Sequence, residues 1–379
     1  MQIGTTIYID YQASTPTDER VWNVMQVASK TLFANPHAAD HVLAWQAAAA
    51  IEKAAQQVGS LFGLQGDDVV FTSGASEANA MVFRGAQSIE GRTDPKEVLI
   101  GAGDHGSILQ EALCGDLAVR HIALDDRGAP DPGSLKELLN RSIALVSIVG
   151  VNNENGAIAD LRAFSNLCKT HGTLLHVDLS QAPVATDVDL LDLDIGLATI
   201  SAHKLYGPKG VGALIIGPGA TNFIKPVIVG AGQQDGRRGG TMPTELIVGF
   251  GEACRILAEQ GKSERRVVAA LRNRFVGIME EKQIGTLVGK LEQRHPGNAL
   301  MRFPSYEASD LLAKTQPLIA ASTQSACSSG SIEPSHVLRA MGFDDEFASQ
   351  CIRFSFGRFS TNEQVDAAAE ILMDAISKY

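Results

Sequence analysis

One lysine in this chain stands where it can form a covalent bond with an aldehyde. Lys204 lies on a loop that follows a predicted buried strand, with Ser201 and His203 close beside it. Burial lowers the pKa of a lysine and so provides the free amine that a Schiff base requires. The alternative is a solvated lysine before a turn, because most lysines lie on the protein surface.

A carboxylate and a glycine turn supply further groups that a phosphate-bearing cofactor requires. Asp178 ends a predicted strand, where a carboxylate can pair with a protonated pyridine nitrogen, and Gln181 follows three residues later. Residues 72–77 form a glycine turn before a predicted helix, whose first N–H groups can bind a phosphate. Each feature has a plain structural alternative, since aspartates often cap helices and glycine turns commonly precede them.

Short apolar runs and helical stretches alternate along the first part of the chain. Strands are predicted at 69–72, 98–100, 121–124, 144–149, 174–177 and 211–216, and helices at 44–62, 76–86 and 161–170. This alternation predicts a mostly parallel sheet with helices on both faces. Because ligands bind at the carboxyl ends of such strands, we expect the polar groups after residues 72, 149, 177 and 200 to share one site.

The last third of the chain has a different pattern, typical of an α+β unit. A helix is predicted at 263–282, strands at 299–303, 318–321 and 352–356, and a final helix that begins at a capping box formed by Ser360 and Glu363. We therefore expect a large domain over residues 12–255 and a small domain formed by residues 1–11 and 256–379. Four aromatic residues at apolar helical positions are expected in the core: Trp22, Trp45, Phe62 and Phe83.

Composition excludes several classes of protein. A net charge of -11 over 379 residues disfavours direct binding of nucleic acid. The five cysteines are widely spaced and form no Cys-x-x-Cys or Cys/His cluster, which indicates neither a disulfide framework nor a metal site. With no run of about 18 apolar residues and no leader pattern, we expect a cytoplasmic protein with no membrane partner.

Many short motifs, in order along nearly the whole chain, resemble one family of pyridoxal-phosphate enzymes of fold type I. The resemblance is to the NifS/IscS-like cysteine desulfurases of the class-V aminotransferases, including the DndA-type members. The matching stretches are Tyr8–Tyr11, Thr15–Pro16, Asn35–Pro36, His41, Phe71–Ala75, His105, Val151–Glu154, His176–Gln181, Ser201–Lys204, Gly240–Thr241, Pro243, Ser325–Cys327, Glu333–Ser335, Leu338–Ala340 and Ile352–Ser355. The resemblance implies a large domain with a mostly parallel seven-stranded sheet and a smaller C-terminal α+β domain.

The resemblance also implies a role for individual residues. Lys204 would bond covalently to the cofactor, with Asp178 on its ring nitrogen, Gln181 on its phenolic oxygen and His105 stacked on its ring as a proton shuttle. Asn153 and Arg353 would meet the substrate carboxylate, since the arginine fork matches a carboxylate. The phosphate would be held by Ala75, Ser76, Ser201 and His203, and by Thr241 from the neighbouring subunit, which implies a homodimer.

Cys327 is the candidate nucleophile. It lies in a stretch of small polar residues, 323–331, unlike the helical or β-branched surroundings of the other four cysteines. An exposed thiol can ionise and attack, although many surface cysteines are inert. The resemblance implies that Cys327 takes sulfur from L-cysteine as a persulfide, leaves L-alanine, and passes the sulfur to an acceptor protein. The acceptor would serve iron–sulfur cluster assembly, tRNA thiolation or DNA phosphorothioation.

The chain departs from the family pattern at a few positions. Gly239 stands where the family usually has Ser, Gln324 stands where it has Gly, and a common upstream His is replaced within 233–235. We expect the glycines beside Thr241 to loosen the phosphate contact. Alternative functions are a selenocysteine lyase, another pyridoxal-phosphate lyase or aminotransferase, and a degenerate scaffold for sulfur transfer.

Overall fold

Fourteen strands and twelve helices make up the described part of the chain. The structure is a computed structural model that describes residues 1–87, 97–323 and 334–378. The strands are β1 Gln2–Ile3, β2 Thr6–Tyr8, β3 Val69–Thr72, β4 Glu97–Gly101, β5 Ala118–Ile122, β6 Ile143–Val149, β7 Leu174–Asp178, β8 Leu197–Ser201, β9 Gly212–Ile216, β10 Thr286–Leu287, β11 Asn298–Arg302, β12 Ile319–Ala320, β13 Ser322–Thr323 and β14 Cys351–Ser355. The helices are α1 Glu19–Thr31, α2 Val42–Ser60, α3 Ala75–Gln87, α4 Gly106–Leu113, α5 Pro132–Leu138, α6 Leu161–His171, α7 Leu190–Leu193, α8 Thr244–Glu281, α9 Ala308–Lys314, α10 His336–Ala340, α11 Asp345–Ser349 and α12 Asn362–Ser377.

The central sheet has seven strands in the order β3-β9-β8-β7-β6-β4-β5. Strand β9 runs antiparallel to both of its neighbours, and the other pairs are parallel. Val149, Asp178 and Thr199 lie side by side in register at neighbouring positions of β6, β7 and β8. The expected mostly parallel seven-stranded sheet is confirmed, and its carboxyl edge brings the predicted polar groups together.

Helices cover both faces of this sheet, because its strands are apolar on both sides. On one face Phe164 of α6 and Phe250 of α8 pack into a buried cluster with strand residues such as Val146. On the other face Phe83 of α3 and Ile108 of α4 pack with a second set of strand residues. The two layers hold the strand ends rigidly, which fixes the loops that follow them.

A smaller four-stranded antiparallel sheet, β10-β11-β14-β13, forms the second structural unit. Its core contains Phe275 from α8, Phe354 from β14 and Leu372 from α12. The N-terminal strands β1 and β2 join β12 in a three-stranded sheet beside it. The first and last parts of the chain therefore pack together, while the division into 12–255 and 1–11 with 256–379 stays a prediction.

Helix α8 joins the two units and differs most from the sequence prediction. It spans 38 residues, whereas the prediction began it at residue 263. Its first half contributes Ile247 and Phe250 to the core of the large sheet, and its second half contributes Leu271 and Phe275 to the small one. The predicted domain boundary at residues 255 and 256 thus falls inside a continuous helix, where no turn signal marks the change of core.

Other differences are local. Strand β5 ends at Ile122, earlier than the predicted 121–124 strand, and the N-cap of α12 is Thr361, not Ser360. Phe62 and Phe83 are buried as expected. Trp22 and Trp45 are not core residues, since they are 51% and 57% exposed. Among the described helices, none has the length and apolar character needed to cross a bilayer.

Candidate active site

A cleft of about 730 Å³ opens at the carboxyl edge of the large sheet. It lies between the loops that follow the strands and the small unit, which contributes Arg353. Nearly all the cofactor and substrate residues predicted from the sequence line it: Ala75, Ser76, His105, Asn153, Asp178, Gln181, Ser201, His203, Lys204 and Arg353. These residues are spread along the chain from Ala75 to Arg353, so only the fold brings them together.

Lys204 is held at the cleft by backbone carbonyls from the start of the chain. It lies in a short 3-10 turn directly after β8, and its Nζ donates to the carbonyl oxygens of Gln12 at 2.6 Å and Ala13 at 2.8 Å. Gln181 donates from Nε2 to the same Gln12 carbonyl at 2.8 Å. The amine is thereby fixed in position while it remains on the cleft wall.

Asp178 lies at the end of β7 and is buried. The backbone N–H of Ser180 donates to its Oδ1 at 2.9 Å, and Nδ2 of Asn79 donates to its Oδ2 at 3.2 Å. Two residues earlier on the strand, His176 bonds to Ser147 and Thr199 through its two ring nitrogens. Burial lowers the pKa of His176 to about 4, so a neutral ring lies next to the carboxylate.

His105 caps the N-terminus of α4 and is accessible through the cleft. Its Nδ1 accepts the backbone N–H of Ser107 at 3.2 Å and lies 2.9 Å from the hydroxyl of that residue. Partial loss of solvent lowers the pKa of His105, and this outweighs the opposing effect of Asp178. With Nδ1 acting as an acceptor, the neutral ring carries its proton on Nε2.

The N-terminus of α3 forms the opposite end of the cleft. Gly74 precedes the helix with a φ of +157°, and a Cβ at this position would meet nothing within 4 Å. Glu77 accepts from the backbone N–H of Ser73 at 2.7 Å and from Arg238 at 2.9 Å. Burial acts to raise the pKa of Glu77, but these hydrogen bonds outweigh it and the pKa is lowered. The N–H groups in the first turn of this 13-residue helix therefore face the cleft. Beside them lies the carboxylate of Glu77, whose charge is balanced by Arg238.

His203 lies near this end, next to Lys204. Its Nδ1 is 3.2 Å from the hydroxyl of Ser14. Burial, together with the charges of Lys204 and Lys209, lowers the pKa of His203 to about 4. The ring is therefore neutral at physiological pH and acts as a hydrogen-bonding group, not as a cation for a phosphate.

Arg353 reaches the cleft from β14 of the small unit. Its Nη1 donates to the Asn153 carbonyl at 2.8 Å and its Nη2 donates to Asp10 Oδ1 at 2.7 Å. These bonds use two of the five N–H groups of a guanidinium, and its buried Nε has no partner among the described residues. Arg353 therefore has a fixed plane and donors to spare for a carboxylate.

Thr241 is the one predicted cofactor residue of the described chain that does not line the cleft. It is exposed, on a segment that is tied down on both sides. Gln233 accepts from the backbone N–H groups of Ala231 and Gly240, and the amide of Gln234 pairs with both backbone groups of Phe71. Gly239 packs on Gly230, where an added Cβ would lie 2.3 Å from a backbone nitrogen. Gly239 thus lies where the packing leaves no room for a side chain. The expected effect of the glycines on the phosphate contact stays a prediction.

Cys327 lies outside the described residues, so its predicted position stays a prediction. The other four cysteines are free, and none of them lines the cleft. Cys168, Cys254 and Cys351 are buried, and burial raises the pKa of each thiol, to about 12 for Cys168 and Cys351. Cys114 is exposed, at the far end of α4 from His105.

Sequence reasoning missed three residues that position the site: Gln12, Asn79 and Asp104. Asn79 links Asp178 to Ser107, to whose hydroxyl it donates at 3.0 Å. Gln12 supplies a carbonyl for Lys204, and the carboxylate of Asp104 accepts from the N–H groups of Gly101 and Val149, joining the ends of β4 and β6. Only Asp104 carried a signal, as a polar residue shortly after the predicted strand at 98–100. Asn79 lies within a predicted helix and Gln12 lies far from any predicted strand, so neither was marked by the pattern.

The residues present fit pyridoxal phosphate. Lys204 offers an amine for its aldehyde, Asp178 a carboxylate for its ring nitrogen, and α3 a helix N-terminus for its phosphate. Two other cleft residues, Gln12 and Ser180, have a buried side-chain atom without a partner in the described structure. Unpaired buried polar atoms are costly, and their presence in a cleft is typical of a site shaped for a polar ligand. The described residues contain no group of three or more metal-ligating side chains.

Comparison with known proteins places this site in a family. The model of the aminotransferase class-V family matches residues 7–368. The cysteine desulfurase IscS of Rickettsia bellii is 36% identical over 379 residues, which cover 98% of this chain and 91% of the relative. The chain belongs to the cysteine desulfurases of the class-V aminotransferase family. Members of this family are pyridoxal-phosphate enzymes, and the cofactor predicted for this enzyme is confirmed.

Solved structures agree with this assignment. A NifS-like protein superposes with a TM-score of 0.91 at 29% identity and covers 99% of this chain and 100% of its own. SspA, solved in complex with cysteine, superposes with a TM-score of 0.80 at 29% identity over 94% of this chain and 100% of its own. Fold type I, expected from the sequence, is therefore the fold of this enzyme.

Proposed function

We propose that this cysteine desulfurase converts L-cysteine to L-alanine and carries the sulfur as a persulfide on Cys327 to an acceptor protein. The main support is one cleft that holds an amine, a buried carboxylate, a neutral histidine and an arginine with spare donors. The relation to a cysteine-bound neighbour and to a cysteine desulfurase supports the choice of substrate. The fully retained set of groups argues against a degenerate scaffold.

Arg353 is the proposed anchor for the substrate carboxylate. Its side chain is 4% exposed, so its charge is little screened by solvent. The carbonyl of Asn153 holds one end of the guanidinium and leaves other N–H groups for two parallel bonds to a carboxylate. Substrate bound in this way presents its amino group toward Lys204, which lines the same cleft.

The cofactor, when bound, withdraws electrons from the α-carbon of the substrate. Asp178 is held by Asn79 and Ser180, and it keeps a proton on the ring nitrogen. Lys204 Nζ takes the α-proton and later returns one, because a neutral amine close to that carbon is a suitable base. His105 carries a proton on Nε2 and can donate it within the cleft.

Sulfur transfer is assigned to Cys327. Its thiolate attacks the substrate sulfur, a sulfur–sulfur bond forms, and the carbon–sulfur bond breaks with its electron pair on carbon. A proton then completes the methyl group of alanine, so atoms and electrons balance without another oxidant. Among the described cysteines three are buried thiols with raised pKa values, and the exposed Cys114 does not line the cleft.

A single pair of variants tests this assignment. Cys327→Ser should retain the cofactor and its absorbance, yet lose at least about 100-fold in sulfide released from L-cysteine under a reductant, since it lacks the nucleophile. Cys114→Ser is the matched control and should release sulfide at the wild-type rate. Normal sulfide release by Cys327→Ser would refute the assignment, and so would loss confined to Cys114→Ser.

We also propose that the enzyme is a homodimer in which Thr241 serves the partner's cofactor phosphate. Two features support this arrangement. Thr241 is exposed and lies outside the cleft of its own chain, on a segment fixed by Gln233 and Gln234. In addition, six large apolar side chains are exposed on α1, α2 and the connection between them: Trp22, Val27, Phe33, Val42, Leu43 and Trp45.

A further inference from the structure

The carboxylate of Asp10 lies between the cleft arginine and the strand that leads to the cysteine segment. Its Oδ1 accepts from Arg353 Nη2 at 2.7 Å, and its Oδ2 accepts from the hydroxyl of Ser322 at 2.7 Å. Ser322 and Arg353 are paired residues of β13 and β14. Asp10 also forms a parallel bridge with Ser355, so its backbone is fixed on the same strand as the arginine.

The pair between Asp10 and Arg353 is shielded from solvent. The side chains are 14% and 4% exposed, unlike most of the surface ion pairs of this protein. Asp10 holds Nη2 and the Asn153 carbonyl holds Nη1, so two anchors determine the plane of the guanidinium. Because an arginine binds a carboxylate through a planar fork, the orientation of that plane decides whether both bonds can form.

We propose that Asp10 is a positioning residue for carboxylate recognition. It fixes the plane of the Arg353 guanidinium, and its negative charge limits how strongly that arginine attracts the carboxylates of substrate and product. The inference rests on the proposed function, because it takes Arg353 as the carboxylate anchor. The two effects have opposite signs: orientation strengthens carboxylate binding, whereas a nearby like charge weakens it.

Two substitutions separate the effects. Asp10→Asn keeps an oxygen that can accept from Arg353 but removes the charge. Asp10→Ala removes both the charge and the anchor, and leaves Nη2 of a buried cation without its partner. We therefore expect carboxylate binding to strengthen in the first variant and to weaken in the second.

The experiment compares two amines that differ only in a carboxylate. Holoenzyme is titrated with L-alanine and with ethylamine, and binding is read from the absorbance change of the bound cofactor. The preference for alanine over ethylamine should rise about threefold to tenfold in Asp10→Asn and fall about tenfold in Asp10→Ala, while ethylamine affinity stays constant. Ser322→Ala keeps the contact between Asp10 and Arg353, and its preference should equal that of the wild type.

Two results would overturn the inference. One is a change in the same direction for Asp10→Asn and Asp10→Ala. The other is an equal change for ethylamine and alanine, which a general structural role would produce. If Asp10→Ala does not fold, the preference of Asp10→Asn for alanine over ethylamine decides the matter. A rise in this preference supports the inference, and no rise overturns it. Wild-type enzyme that binds alanine but releases no sulfide from cysteine would refute the proposed function and leave the role of Asp10 standing.

Discussion

At the scale of single residues, neutral histidine rings lie beside the carboxylate and the amine of the site. His176, His203 and His105 all lie close to Asp178 or Lys204, and desolvation lowers the pKa of each. At neutral pH these three rings therefore add no positive charge beside Asp178, Lys204 and Arg353, which are the groups assigned to the cofactor and the substrate. The histidines supply hydrogen bonds instead.

The buried His176 makes the folded protein sensitive to acid. Its pKa is about 4 in the folded state against 6.5 for an ordinary histidine, so the unfolded chain binds the extra proton between those values. Stability therefore falls as pH drops from 6.5 to about 4, by up to roughly 3 kcal/mol for this residue. The stability advantage of the wild type over His176→Gln, measured by denaturant unfolding, should be largest near pH 7 and shrink toward pH 4.

His171, exposed at the end of α6, provides the control for this series. The difference between the wild type and His171→Gln should stay small over the same pH range. A constant difference between the wild type and His176→Gln from pH 7 to pH 4 would contradict the expected burial of a neutral ring.

At the scale of elements, Gly239 makes a close backbone contact at a position where the family pattern has a side chain. Gly239 lies against Gly230 and Val229, and an added Cβ would come within 2.6 Å of backbone atoms of both. Backbone cannot move aside as a flexible side chain can. The segment before Thr241 is therefore anchored by a close approach, supplemented by the amides of Gln233 and Gln234.

Gly239→Ser, which restores the residue that the family usually has, should destabilise this protein. The overlap with Gly230 forces the two segments apart, and overpacking of this kind costs about 1–3 kcal/mol. The measurement is the thermal unfolding midpoint, which should fall. Gly277→Ser in α8 is the control, because a Cβ there meets nothing within 4 Å. Equal midpoints for both serine variants would contradict the role assigned to Gly239.

At the scale of the whole molecule, the two structural units are joined through α8 and through the cleft itself. The helix gives its first half to one core and its second half to the other. Arg353 of the small unit bonds to Asn153 of the large one. The first half of α8 also packs against α1 and α2. Trp22 of α1, Trp45 of α2 and Phe33 in the connection between them remain exposed.

These exposed aromatic residues should lie in the proposed dimer interface. Phe33 is 72% exposed, and its replacement by aspartate would place a charge in an apolar contact. Sedimentation should give a wild-type mass of twice 40.2 kDa and a shift toward a single chain for Phe33→Asp. Leu191→Asp, at a residue 59% exposed on α7, should leave the dimer intact. A wild-type protein with the mass of one chain would refute the dimer.

The sequence by itself determined most of the large sheet, the place of Lys204 on the loop after β8 and the family. Strand periodicity, glycine turns and short motifs are local, so Val69–Thr72, Ala75–Gln87 and Lys204 were found close to their observed places. It did not determine the start of α8 or the exposure of Trp22 and Trp45, because apolar periodicity indicates a helix face but not what covers it.

Only the tertiary structure decided which polar groups touch. Asp10 and Arg353 are 343 positions apart, and Asn79 and Asp178 are 99 apart. Contacts at such separations leave no periodic trace in the chain, since they depend on how packed layers bring strand ends together. For the same reason burial, and with it the neutral state of His176 and His203, could be read only from the folded molecule.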